Sequence, residues 1–240
     1  MEALYMEHLL FSQVACAAFL LLLGVARFHY FVSASTQPAD RTSPPVNWAR
    51  HVPAYFASTV WAIYVAWLVM APVHVVKWDT WSPNHWISDM FGWIAVPILS
   101  AGLWLFWYSH KTIGRYWSIQ IQLKHSHRLI TYGPYRYVRH PLYTAVFLGY
   151  LGTVLALQSW TLVAWFPVFV ASYVLFAREE ETIMERGFGE AYEIYRRQTG
   201  MFLPKRARVI TDVSSMAMRW RARTPEGRDS PVAPAETGED

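Results

Sequence analysis

The chain of 240 residues holds a single cysteine, Cys16, so it cannot close a disulfide within itself. Charge is scarce as well: 16% of residues are charged against 54% hydrophobic, a balance unusual for a water-soluble fold. No lysine or arginine precedes the first apolar segment, which argues against a cleaved signal peptide and for an uncleaved first helix. No ionisable residue lies in the middle of an apolar segment. His74 is near one end of its segment, and Arg27 and His29 sit at the exit of the first, so a proton-coupled pump or transporter loses weight. There is no Glu-x-x-His or His-x-x-His-His cluster, and a metal site built from His125, His127 and His140 is not expected. The final residues lack the cysteine of a prenylation signal, and nothing points to nucleic acid.

What the chain has instead is long apolar runs. Five qualify as membrane segments: Leu9 to Val32, Pro53 to Val76, Phe91 to Tyr108, Leu142 to Leu157 and Trp160 to Ala177. Each is near the ~17 to 25 residues that cross the hydrocarbon core, the fourth being the shortest. Residues 141 to 177 carry no charge, and as one helix they would be ~55 Å long, too long for a single crossing. A helical hairpin is therefore predicted, with its turn at the polar pair Gln158 and Ser159 on the far side of the membrane. Lysine and arginine alternate between the connecting segments: three in 26 to 52, one in 77 to 90, six in 109 to 140, none at the hairpin turn and eleven in 178 to 240. The positive-inside rule then puts the N-terminus outside and both the 109 to 140 segment and the C-terminal tail in the cytoplasm. The expected architecture is an all-α, multi-pass membrane protein of about five helices, the last two forming the helical hairpin.

Three parts follow along the chain. Residues 1–108 hold the first three helices, 109–204 form a core of cytoplasmic loop, hairpin and Glu-rich helix, and 205–240 form a tail. The tail begins basic and ends Pro-rich and acidic, a composition expected to be disordered. The three tryptophans in 77 to 90 read as an interfacial aromatic belt.

Chemistry concentrates where the cytoplasmic segments meet the hairpin. Gly133-Pro134 predicts a turn, and His140-Pro141 places a proline at the first helical position, where its missing N–H costs nothing. The helix start, with its backbone N–H groups and positive dipole end beside Arg136, Arg139 and His140, suits an anionic group such as a carboxylate. At the other end of the hairpin, Glu179, Glu180 and Glu181 follow the fifth apolar segment and oppose a helix dipole if the helix stops there. A hairpin brings its two ends together, so these glutamates are expected near Arg139 and His140. The bland alternative is that arginine and tyrosine are ordinary interfacial residues and that an Arg–Glu pair simply locks the hairpin.

The stretches "HRLITYGPYRYVRHPLYTA" and "REEETIMERGFGEAYEIYRRQTGMFLP" shift that balance. They carry, in order, His127, Leu129 and Ile130; Gly133 and Tyr135; Arg139 to Tyr143; Glu180, Glu181 and Met184; Phe188, Gly189, Tyr192 and Tyr195; and Leu203 with Pro204. This sequence resembles the isoprenylcysteine carboxyl methyltransferase family of integral membrane enzymes and, less closely, the phospholipid methyltransferases. The resemblance covers about 80 residues, one third of the chain, and the first three segments carry almost none of it.

The resemblance implies methyl transfer from S-adenosylmethionine bound on the cytoplasmic side. Cofactor contacts carried over by position are Gln120, His127, Arg128, Leu129, Ile130, Tyr135, His140, Pro141, Leu142, Tyr143 and Glu180. Arg139 is the candidate for holding the acceptor, with Glu181 orienting it. The implied partner is a lipid-like or prenylated acceptor entering from the bilayer. Eukaryotic members carry an arginine one helical turn before the glutamates, where this chain has Phe176, with Arg178 the nearest basic residue. The acceptor therefore stays open between a prenylcysteine or other lipidic carboxylate, a phospholipid amine and a small thiol. A sterol-reductase-like membrane oxidoreductase and a noncatalytic scaffold are the readings of other classes.

Overall fold

The computed structural model describes residues 85–114, 128–205 and 233–236, together with four helical residues, Ala18, Leu21, Leu22 and Val25. Among the described residues four helices are delimited: α1 (His85–Ile113), α2 (Pro141–Leu157), α3 (Trp160–Phe188) and α4 (Glu190–Gln198). A short strand β1 (Arg128–Ile130) and a 3-10 turn (Gly133–Arg136) precede α2. Strand β2 (Ala233–Glu236) pairs in parallel with β1, with an irregular register between Arg128 opposite Ala233 and Ile130 opposite Glu236. Apart from this short pairing the described residues are mostly helical, in keeping with the all-α expectation.

The three apolar segments read at 91–108, 142–157 and 160–177 fall within α1, α2 and α3. Helices α1 and α3 are long and apolar enough to cross a membrane, while α2 has 17 residues and is shorter. The segments 53–76 and, apart from the four helical residues, 9–32 lie outside the described residues.

The chain divides into two compact units, to each of which the helices contribute. In the described part of the first unit, 85–104 and 145–176, α1 and α2 approach through small residues. A Cβ on Gly102 would lie 3.1 Å from the carbonyl oxygen of Ala145 and 3.2 Å from the amide of Gly149, and one on Gly152 would lie 2.7 Å from Leu99. Such spacing lets backbones pack closely where no hydrophobic driving force separates helix from lipid. Between α2 and α3 an aromatic cluster fills the gap: Phe147, Tyr150, Phe169 and Tyr173, with Phe169 fully buried. Outward-facing Trp86, Trp93, Trp104, Trp160 and Leu175 stay exposed, which suits a surface covered by lipid.

The predicted hairpin turn is present. Gln158 adopts a left-handed backbone (φ 53°), donates to the carbonyl of Ser88 at 2.9 Å, and is followed by Ser159, whose hydroxyl accepts from the Leu162 amide at 3.2 Å. A left-handed residue ends α2 and a serine caps α3.

The second unit includes 105–114, 128–144 and 177–205. Here α3 does not stop before the glutamates; it runs on for two more turns to Phe188. Glutamate is a good helix former, and the first break arrives only at Gly189, whose φ of 54° and ψ of −129° are open to glycine alone. The dipole conflict expected at Glu179–Glu181 therefore does not arise. Helix α4 lays Ala191, Tyr192 and Tyr195 on Leu129 and Phe188, with Glu190 and Glu193 in its first turn and Arg196 and Arg197 in its last, as its dipole favours.

Candidate active site

Two pieces of the second unit build the site: the turn entering α2 and the polar extension of α3. Gly133 (φ 59°) and Pro134 shape the 3-10 turn, and the His140 carbonyl starts α2 by accepting from Tyr143 and Thr144 amides at 3.1 and 3.0 Å. With Pro141 lacking an N–H, Leu142 is left as the amide of that first turn that makes no bond among the described residues. The anion-binding capacity of this helix start is thus one backbone donor, fewer than the sequence alone implies.

The segment 199–203 clamps the turn in place. Arg139 and His140 amides donate to the carbonyls of Gly200 and Met201 at 2.8 and 3.1 Å, and the Thr144 hydroxyl donates to Phe202 at 2.8 Å. A Cβ on Gly200 would fall 1.7 Å from the Leu203 carbonyl oxygen, so only glycine permits this approach.

At the centre, Arg139 donates through Nε to Glu181 Oε1 at 2.7 Å, and through Nη1 to the carbonyls of Arg196 (3.1 Å) and Thr199. The same Glu181 oxygen faces His140 Nε2 at 3.2 Å. Glu180 closes the other side: its Oε2 lies 3.2 Å from His140 Nδ1, and its Oε1 accepts from the Tyr143 hydroxyl at 2.8 Å. The Tyr143 ring stacks on His140 at 5.4 Å and 4°, and Phe202 leans on the same imidazole at 6.0 Å.

Burial disfavours the charged form of His140, but hydrogen bonds to Glu180 and Glu181 and their negative charge outweigh it, and its pKa is raised. When His140 is protonated, two carboxylates balance a guanidinium and an imidazolium in a nearly closed cluster. Tyr135 is buried behind it, and burial, Tyr195 and Glu180 together hold its phenol well above the ordinary value. Its carbonyl accepts from the Tyr195 hydroxyl at 2.7 Å.

The structure thus brings together Arg139, His140, Pro141, Leu142, Tyr143, Glu180 and Glu181, across a separation of about 40 residues. Leu129 and Ile130 are buried in adjacent clusters, Leu129 with Tyr192 and Tyr195, and Ile130 with Tyr135. Gln120 and His127, and the side chain of Arg128, lie outside the described residues. Sequence reasoning missed Thr144, Thr199, Gly200, Phe202 and Lys205 as builders of the site. Lys205 donates to the carbonyls of Arg196 and Arg197 at the end of α4. Tyr192 and Tyr195 stood in a motif whose spacing, i and i+3, was the available signal that both face one side of a helix.

Comparison with known proteins gives the class. Residues 90–191 match the phospholipid methyltransferase family, a range that reaches back into α1 beyond the resemblance first noted. The matched range covers somewhat less than half of the chain. In fold the chain is similar to the eukaryotic intramembrane Ras methyltransferase ICMT (isoprenylcysteine carboxyl methyltransferase), at a TM-score of 0.50 and 22% identity over 80% of this chain and 67% of that one. The chain is 34% identical over 115 residues to the nickel-cobalt-cadmium resistance protein NccN of Alcaligenes xylosoxydans xylosoxydans, 47% of this chain and 53% of that protein. It is 32% identical over 149 residues to the cobalt-zinc-cadmium resistance protein CzcN of Cupriavidus metallidurans, 61% of this chain and 62% of that protein. The matches therefore span between half and two thirds of the length of these relatives.

Proposed function

We propose that the protein is an S-adenosylmethionine-dependent methyltransferase of the membrane that methylates a lipidic acceptor, in first place a carboxylate. The carrying observation is the buried cluster of Arg139, His140 and Tyr143 against Glu180 and Glu181. Its donor set fits the cofactor. A partly exposed carboxylate, Glu180, matches an ammonium; the Leu142 amide beside His140 matches a carboxylate; and Tyr135, Leu129 and Ile130 give an aromatic and apolar wall. Gln120, His127 and Arg128 complete the proposed contacts by position, and Pro141 fixes the backbone from which Leu142 points.

When bound, S-adenosylmethionine supplies an electrophilic methyl group on a sulfonium. The protein's share is position. A carboxylate acceptor is deprotonated at neutral pH and needs no general base, so orientation provides most of the rate. Arg139 is held by Glu181, Arg196 and Thr199 with its guanidinium plane fixed, which prepares it to direct an acceptor anion without reorganising. Residues 109–204 form the catalytic core in this reading, with the N-terminus outside, the site and tail in the cytoplasm, and the acceptor arriving from the bilayer.

A phospholipid amine or a small thiol is the alternative acceptor. The family match favours the first, and either would need a base to take its proton. The names of NccN and CzcN tie those proteins to metal resistance, so methylation in this chain is also proposed to serve cells under heavy-metal load.

Calorimetry with S-adenosylmethionine tests the reading. Saturable binding by the purified protein, weakened at least tenfold in Glu180→Ala as expected for a charged hydrogen bond of roughly 1.5–3 kcal/mol, supports it. No saturable binding, or unchanged binding in Glu180→Ala and His140→Ala, rejects it.

A further inference from the structure

Both carboxylate oxygens of Glu180 are already engaged by the protein itself. Oε1 accepts from Tyr143, and Oε2 faces His140 Nδ1. On the cofactor reading above, on which this inference rests, an ammonium must share or take that carboxylate. The Tyr143 hydroxyl is neutral and can turn aside, but the imidazolium is a competing cation.

We propose that His140 acts as an internal stand-in for the cofactor's ammonium: the ligand displaces it from Glu180, and His140 releases one proton to solvent as binding occurs.

Three observations support this exchange. The first is charge: Arg139 and protonated His140 balance Glu180 and Glu181, whereas S-adenosylmethionine, with ammonium, carboxylate and sulfonium, brings a net positive charge into the same enclosure. Loss of one proton restores neutrality. The second is the weakness of what remains. Without Glu180, the acceptor left to His140 among the described side chains is Glu181 Oε1, and that oxygen is already held by Arg139 Nε at the shorter distance of 2.7 Å against 3.2 Å. The third is burial. The imidazole is enclosed, burial opposes its charge, and the hydrogen bond to Glu180 is the first of the effects that sustain it. Among the described residues, the groups facing the ring are Glu180 and Glu181 from α3, Tyr143 from its own helix and the uncharged Phe202 from the clamp. Tyr135 and Tyr192 feel the same glutamates, but both phenols are held neutral by burial above all.

The test is titration calorimetry on the full-length protein in detergent. S-adenosylmethionine is titrated at several pH values from 5.5 to 7.0, in buffers of different ionisation enthalpy. This range keeps a free α-amino group protonated, since it loses its proton only near ~7.7. The expected result is release of about one proton per ligand bound, with affinity rising up to tenfold per pH unit. His140→Gln should abolish the release and flatten the pH dependence. Saturable binding without proton release, or equal release in a folded His140→Gln protein, overturns the exchange and leaves the cofactor reading standing. Absence of saturable binding at every pH overturns both. If His140→Gln does not fold, the proton count of the unsubstituted protein decides alone.

Discussion

Glu181 places one oxygen against both Arg139 and His140, so removing its carboxylate strips the buried Arg139 guanidinium of its counter-charge and leaves His140 with Glu180. Glu181→Ala is expected to destabilise the fold by roughly 3–5 kcal/mol, as for a broken buried pair, measured by unfolding in detergent. The exposed Arg196–Glu185 pair provides the contrast: Glu185→Ala should cost only ~0–1 kcal/mol in the same assay. His140 adds a pH signature. Its pKa is raised in the fold, so its contribution to stability is fully present below the unfolded value of ~6.5 and is lost as pH rises through the folded value. The difference in Tm between the unsubstituted protein and His140→Gln should therefore shrink as pH is raised from 5.5 to 9. At this scale the clustering of Arg139, His140 and Tyr143 with Glu180 and Glu181 was legible in the sequence, because such residue types are unusual at a membrane boundary and a hairpin brings its ends together. The threonines and the lysine that hold backbone carbonyls were not, because any loop can supply such residues.

At the scale of elements, the 199–203 segment is what holds the turn entering α2. Gly200→Ala would force a methyl group onto the Leu203 carbonyl, breaking the bonds from the Arg139 and His140 amides; the expected cost is on the order of 2 kcal/mol or more. Loss of cofactor affinity should accompany it, while Gly114→Ala, with open space around its Cβ, tests the backbone strain of positive φ without that clash. In the hairpin, Ser159→Ala removes a helix cap and should lower stability by ~1 kcal/mol. The hairpin turn was readable because Gln158 and Ser159 interrupt an otherwise apolar run. The length of α3 was not, since the sequence marks where hydrophobicity ends and not where helical backbone ends; that boundary waited for Gly189. Pairing of β1 with a strand from the tail was equally hidden, because four residues with a proline carry no alternating pattern to read.

Over the whole molecule, the sequence conveyed a membrane protein with a polar site at one end of a hairpin. The structure adds that the site is a closed charge cluster completed by α4 and the segment after it. Long-range pairing of Arg139 with Glu181 followed from the hairpin, but the third wall needed α4 to fold back, which no local pattern specifies. On the proposed reading, the acceptor depends on what reaches Arg139. The most direct measurement gives the purified protein methyl-labelled S-adenosylmethionine together with native membranes, then extracts lipids and tests the product for base lability. The account predicts label in the lipid extract, released by mild base as a methyl ester should be, and lost in Glu180→Gln. No label above membranes lacking the protein would contradict it.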